Sequence, residues 1–203
     1  MRSLFLLTPL ELLWAAIGVI LTIVGTLIQL SIPATIPWIG GYSFSLQIGG
    51  MLLTACLGGP TAGLSAQIVY LSLGLTGSQI FRYGGGIEYL QKPEFGYLLG
   101  FLPGAWVCGH LAFRKTLFSP TANSTPLKPK PQPLRLHDLS LAGLSGLLVV
   151  HLTGMIYLLV KTGWGSELIQ QIALYSGYPL PGQVMVTFTV VALAYVFRRL
   201  TFY

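Results

Sequence analysis

From Pro9 to Ile32 the chain carries one charged side chain, Glu11, and apolar runs of the same kind recur at 44–76, 95–113, 138–160 and 181–196. A run near 20 residues is about what a helix needs to cross the roughly 30 Å hydrocarbon core of a bilayer. In lipid the backbone must satisfy its own N–H and C=O groups, so such runs close into helices. Composition agrees: 53% of the residues are hydrophobic and 8% are charged, against about 25% charged in soluble domains. The chain reads as an all-α integral membrane protein, one domain over residues 1–203, multi-pass in the plasma membrane, with the lipid bilayer as its first partner. A net charge of +6 would suggest nucleic acid for a soluble chain. Here a cytoplasmic excess of Lys and Arg accounts for it, and no nucleic-acid partner is expected.

Six transmembrane helices are expected. The first covers Pro9–Ile32, with Pro9 suited to a first helical turn and Glu11 to a positive helix N-terminus. With only Arg2 ahead of it and no convincing cleavage site, this segment is expected to be retained. Ala15, Gly18, Thr22 and Thr26 fall three and four apart. Such a small-residue stripe lets another helix approach closely, either from this chain or from a partner membrane subunit. Residues 31–42 form an uncharged loop in which Trp38 and Tyr42 suit a membrane interface. The run 44–76 is broken at Gly58-Gly59-Pro60, so it divides into two short helices, the second and third. The first half has about 14 residues, roughly 21 Å at 1.5 Å per residue. The two are therefore a short spanning pair or a re-entrant hairpin. Gln47, Gly50 and Thr54 share one face, and Gln67, Tyr70 and Gly74 another; stripes of this kind serve as helix–helix glue or as ligand contacts.

The fourth helix, 95–113, repeats Gly96, Gly100, Gly104 and Cys108, a long close-packing stripe, and Pro103 is expected to kink it. Residues 119–134 hold five prolines and read as a flexible cytoplasmic linker. In the fifth helix, 138–160, Gly143, Gly146, Val150 and Gly154 give another small face. His151 lies mid-membrane, where it either serves function or bonds to a neighbouring helix. A haem held between His151 and His110 has little else to support it, and no metal or cofactor is expected. Cys56 and Cys108 read as buried small hydrophobes. A short interfacial helix is expected within 161–178, and the sixth span starts at Pro181-Gly182-Gln183.

Placing both termini in the cytoplasm puts eight Lys and Arg residues inside and leaves Arg82, Lys92 and Lys161 outside, the arrangement the positive-inside rule favours. The second, fourth and sixth helices then start at the outer face, where the long loop 76–95 also lies. That loop carries Arg82, Tyr83, three consecutive glycines (Gly84, Gly85 and Gly86) and Glu88. An anionic small molecule arriving from outside would meet positive helix N-termini, a guanidinium and aromatic faces. The candidate ligand-binding residues are Gln47, Tyr70, Arg82, Tyr83, Gly84, Gly85, Gly86, Glu88, Tyr97, Tyr157, Lys161 and Gln183. Ala15, Gly18, Thr22 and Thr26 are the candidate docking residues, and no residue is assigned to catalysis.

The segments LGGPTAGLSAQIVYLSLGLTG, FRYGGGIEYL and FGYLLGFLPGAWVCG, followed by YPLPGQ, resemble the BioY family, the biotin-binding S components of energy-coupling-factor transporters. The resemblance implies six membrane helices, with biotin held near the outer face under the loops joining helices 1–2 and 3–4. It also implies a transmembrane coupling subunit and two ATPase subunits as partners, and no enzymatic activity. Where the family has Asp and, three residues later, Lys at the start of helix 6, this chain has Gln183 and Val186. An amide at position 183 offers both a donor and an acceptor to a ureido ring, Arg82 suits a carboxylate, and Lys161 or Glu88 stand ready for the missing charged roles. The alternatives are an S component for another small vitamin, a non-transport membrane subunit, or a membrane enzyme.

Overall fold

The computed structural model describes residues 7–31, 41–114 and 135–202. The Pro-rich linker at 119–134 and Trp38 lie outside the described residues.

Helix α1 (Pro9–Leu27) opens with a capping box: the Glu11 N–H donates to Thr8 Oγ1, and the Thr8 N–H donates to Glu11 Oε2. This pairs two of the donors that every helix start leaves unsatisfied. The helix ends at Leu27 rather than Ile32. Ile28 turns extended, and strand β1 (Gln29–Ser31) pairs antiparallel with β2 (Ser43–Ser45) in the register Gln29↔Ser45 and Ser31↔Ser43. The run to Ile32 is apolar throughout, so its composition hides the switch. The partner strand that claims these backbone groups comes from a dozen residues further on.

Helix α2 (Gln47–Leu75) contains both short segments expected on either side of Gly58-Gly59-Pro60. Gly59 sits at φ +84°, a conformation glycine adopts without cost. There the chain reverses. A Cβ placed on Gly63 would stand 3.2 Å from Ala55 Cα, whereas residues eight apart in a straight helix are about 12 Å apart. Pro60 opens the second half, where its missing N–H costs nothing. Helix α3 (Phe95–Ala112) packs on this turn so closely that a Cβ on Gly109 would lie 2.5 Å from the Pro60 nitrogen.

Helices α3 and α4 (Leu136–Thr162) meet along their glycines. A Cβ on Gly100 would lie 2.8 Å from the Val150 carbonyl oxygen, and one on Gly104 would lie 3.0 Å from that of Gly146. The expected close-packing stripe is thus used along the whole pair. Helix α5 (Ser166–Ile172) runs into a π turn, Ala173–Gly177, and α6 (Leu180–Phe202) continues past Val196 to pack on α2 and α4. Near its end the Arg198 guanidinium donates to the Ala112 carbonyl at 2.9 Å and reaches the Cys56 carbonyl at 3.5 Å, lying over the Phe113 ring.

Among the described residues five stretches are long and apolar enough to cross a bilayer: α1, α2, α3, α4 and the run Ser166–Thr201. The hairpin α2 counts as one of these.

The small stripe of α1 faces inward. Ala15, Gly18, Thr22 and Thr26 are buried, while Leu12, Leu13, Ile20, Val24 and Leu27 point away from the bundle. Gln67 donates to Thr22 Oγ1 at 3.1 Å, and the Thr26 hydroxyl lies 3.3 Å from that of Tyr70. Of the two readings of this stripe, packing within the chain is the one these contacts satisfy, and the four residues are buried against α2. A Cβ on Gly18 would collide with the Thr54 side chain and lie 2.9 Å from Ala66 Cβ. Gly18→Leu is therefore expected to destabilise the bundle by about 3 kcal/mol or more. Thermal melting of the purified protein in detergent checks this; an unchanged melting temperature would mean that α1 packs elsewhere.

Candidate functional site

Reversal of the chain at Gly59 brings Gln47 and Tyr70 to the same end of the bundle, where Gln47 Nε2 donates to Tyr70 Oη at 2.8 Å. α3 and α6 also begin at this end. Between these three helix starts lies a cavity of about 340 Å³. β2 and the residue before it supply one wall, with Tyr42, Ser43, Phe44 and Ser45. The loop after α2 supplies Arg82, Tyr83 and Tyr89. α3 contributes Tyr97, Leu98 and Phe101, with Glu94 just ahead of it; α4 contributes Val150 and His151, the π turn Leu174 and Tyr175, and α6 Gln183.

The loop is built to hold Arg82 still. Phe81 is buried between Tyr70 and Tyr89, with ring centroids 5.3 and 4.7 Å away, and occupies the space a side chain on Gly74 would need. The Phe81 and Gly84 backbones bond to each other, and the Gly86 N–H donates to the Gly74 carbonyl at 2.7 Å. Gly84 and Gly86 have φ of +115° and +93°, so the glycines shape this turn. Arg82 donates from Nη2 to Ser43 Oγ at 2.9 Å and to Gln29 Oε1 at 3.4 Å, which ties the loop to the β ribbon. No carboxylate among the described residues lies within ion-pair distance of Arg82, and its Nε is shielded from solvent without a partner. Burial, and then the Glu94 carboxylate, push the Tyr89 phenol up to about 12; it stays protonated at neutral pH, a neutral donor on the cavity wall.

On the opposite side the Gln183 carbonyl oxygen lies 2.7 Å from His151 Nε2. His151 Nδ1 lies 3.0 Å from Ser176 Oγ, and Ser176 Oγ lies 2.7 Å from Tyr97 Oη. His151 is thus bonded to neighbouring elements at both nitrogens. His110, stacked on Trp106 near the far end of α3, is not brought to it.

Of the residues singled out from the sequence, Gln47, Arg82, Tyr83, Tyr97 and Gln183 share the cavity wall. Tyr70 stands behind Gln47, and Gly84, Gly85 and Gly86 lie in the supporting turn. Glu88 is exposed on the 3-10 helix Ile87–Gln91. Tyr157 and Lys161 both donate to the Leu90 carbonyl, clamping the loop from outside the cavity. The Gln183 carbonyl oxygen faces His151, and its amide nitrogen has no hydrogen-bond partner among the described residues. Ser43, Ser45, Tyr89, Glu94 and Tyr175 were not anticipated. An acidic residue just before an apolar run and a tyrosine in the glycine-rich loop were signals for Glu94 and Tyr89. The serines and Tyr175 had none.

The model of the BioY family matches residues 1–202. A probable biotin transporter BioY from Lysinibacillus sphaericus is 38% identical over 107 residues, covering 53% of this chain and 51% of that protein. The matched region thus spans about half the length of that relative. An uncharacterized 21.2 kDa protein from Cyanophora paradoxa is 31% identical over 160 residues, 77% of this chain and 74% of that one. The crystal structure of the S-component for biotin from an ECF-type ABC transporter superposes with a TM-score of 0.67 at 19% identity, over 93% of this chain and 90% of that one; this likeness is one of fold.

Proposed function

The chain belongs to the BioY family, and from that premise we propose that it is a membrane-embedded biotin-binding subunit that mediates biotin uptake and has no catalytic activity of its own. The observation that carries the reading is a cavity holding a guanidinium on one wall and an amide nitrogen on another, the first with no carboxylate partner and the second with no hydrogen-bond partner among the described residues. Biotin has a carboxylate at one end, a ureido ring at the other and apolar bulk between. Arg82 suits the carboxylate, and the Gln183 nitrogen suits the ureido carbonyl. Phe44, Phe101, Leu98 and the tyrosine faces suit the bicycle and chain. The starts of α2, α3 and α6 add partial positive charge at the same end, favouring an anion by about 0.3–1 kcal/mol each. A cavity of about 340 Å³ is within the range of small-ligand sites, roughly 300–1,000 Å³. Equilibrium calorimetry of the purified protein with biotin, in competition with other small vitamins, tests the reading. Saturable 1:1 binding of biotin supports it, and preference for another vitamin would replace it.

The same proposal includes an energising partner: a transmembrane coupling subunit with two ATPase subunits on the cytoplasmic side. It also includes six membrane segments, the halves of α2 counting separately, with both termini in the cytoplasm and the cavity outward. The Lys and Arg distribution supports that orientation. A cysteine introduced at residue 125 is expected to resist a membrane-impermeant maleimide in intact cells and to react after lysis. Reaction from outside would invert the topology.

A further inference from the structure

We propose that His151 is a positioning residue: it holds the Gln183 amide so that the unpartnered nitrogen, with its N–H donors, is left for the cavity, and thereby favours ligands that carry an acceptor there. The inference rests on the reading of the cavity as a biotin site. An amide oxygen can only accept a hydrogen bond. With the Gln183 oxygen placed 2.7 Å from His151 Nε2, the matching tautomer lets Nδ1 face the Ser176 hydroxyl and carries its hydrogen on Nε2. The ring cannot turn to release it, because Nδ1 is held by Ser176, and Ser176 is held in turn by Tyr97. His151 is 3% exposed, with the Tyr97 ring edge-on at 5.8 Å.

A half-turn of the Gln183 amide would set its NH2 group against the Nε2–H, donor against donor, where water has little access to relieve it. The amide orientation is thus coupled to the His151 tautomer, and turning the amide requires the ring proton to move to Nδ1 as well. Among the described residues the Gln183 amide nitrogen has no hydrogen-bond partner, and the residue lines the cavity. What remains is a pair of N–H groups for a ligand carbonyl. The acceptors that a ureido ring's own N–H groups need must come from elsewhere on the wall, where Glu94 and the Ser43 and Ser45 hydroxyls lie.

The consequence is selectivity by polarity. In the analogue of biotin whose ureido oxygen is replaced by an imino group, the protonated guanidinium sets donors against the Gln183 nitrogen. A site built around one hydrogen-bond polarity rejects the mismatched ligand strongly. We expect the unaltered full-length protein to prefer biotin over the imino analogue by more than about 100-fold at neutral pH. In His151→Phe the Gln183 amide is free to turn, and the preference is expected to fall by roughly 10-fold or more. His151→Gln restores a donor toward the Gln183 oxygen and should keep the preference within about threefold of the original. Ser176→Ala, which removes only the brace on Nδ1, should lower it by a smaller factor and serves if His151→Phe does not fold. Competition binding with both ligands reads all four proteins. If biotin binds normally and neither His151→Phe nor Ser176→Ala shifts the ratio, the positioning role is overturned and the biotin reading stands. If the unaltered protein binds no biotin, both are overturned.

Discussion

Arg82→Ala is expected to weaken biotin binding by roughly 10- to 150-fold while changing the affinity for its neutral amide by less than about threefold. The guanidinium lies on the cavity wall with no carboxylate among the described residues to neutralise it. Its present partners are neutral: the Ser43 hydroxyl and the Gln29 carbonyl oxygen. A ligand carboxylate arriving there gains a charge-assisted bond, worth about 1.5–3 kcal/mol, and displaces no competing anion. The amide ligand lacks that charge and so loses little when Arg82 is removed. Calorimetric titration of both ligands separates the cases. Equal losses would assign the carboxylate to the helix N-termini and leave Arg82 as a tie between the loop and the β ribbon.

Gly85→Ala is expected to cost on the order of 100-fold or more in affinity for biotin, with a smaller but clear loss for its amide, because Tyr83 and Tyr89 leave the cavity wall together with Arg82. A Cβ at this position would strike the Ser78 carbonyl oxygen and lie 2.9 Å from that of Gly74. Both obstacles are backbone, so no side-chain rotation relieves them. The turn must open, and with it goes the bond from the Gly86 N–H to Gly74 and the seat of Phe81 that fixes Arg82. Gly84→Ala is the control. Nothing lies within 4 Å of its added Cβ, so the change carries only the strain of φ +115°, about 1–2 kcal/mol. If the two alanines weaken binding to the same degree, conformational strain rather than collision governs the loop. Loss confined to biotin in Gly85→Ala would mean that the turn serves Arg82 alone.

The apolar runs made the helices legible, and Gly58-Gly59-Pro60 marked the break inside α2, because chain reversal in that position needs residues of that kind. The glycine stripes of α3 and α4 were equally readable, since close approach of two backbones leaves no room for a side chain. The end of α1 was not. Gln29–Ser31 leaves the helix because residues 43–45 pair with it, a tertiary event that propensity does not record. Half of the cavity was hidden for the same reason. His151 and Gln183 are 32 residues apart and Tyr97 and Ser176 are 79 apart, and no local pattern announces such meetings. The spacing of the glycine-rich loop suggests a ligand cradle; in the structure Gly84, Gly85 and Gly86 shape the turn that carries Arg82, and Arg82 is the member of that turn lining the cavity together with Tyr83. Spacing alone cannot tell a residue that touches a ligand from one that makes the touching residue immobile.

The clasp formed by Arg198 bears on the order in which the molecule is made. It ties the carbonyls of Cys56 and Ala112, two segments far apart in the chain, to a helix that leaves the ribosome after both. Until α6 is inserted, those carbonyls must be satisfied by water near the membrane surface or remain exposed to lipid, where an unpaired polar group is costly. The Arg198 clasp is therefore added to the direct packing of α3 on α2 only when synthesis is nearly complete. A nascent chain arrested before residue 198 would leave the Cys56 and Ala112 carbonyls without this donor, a defect at the end of the bundle away from the cavity.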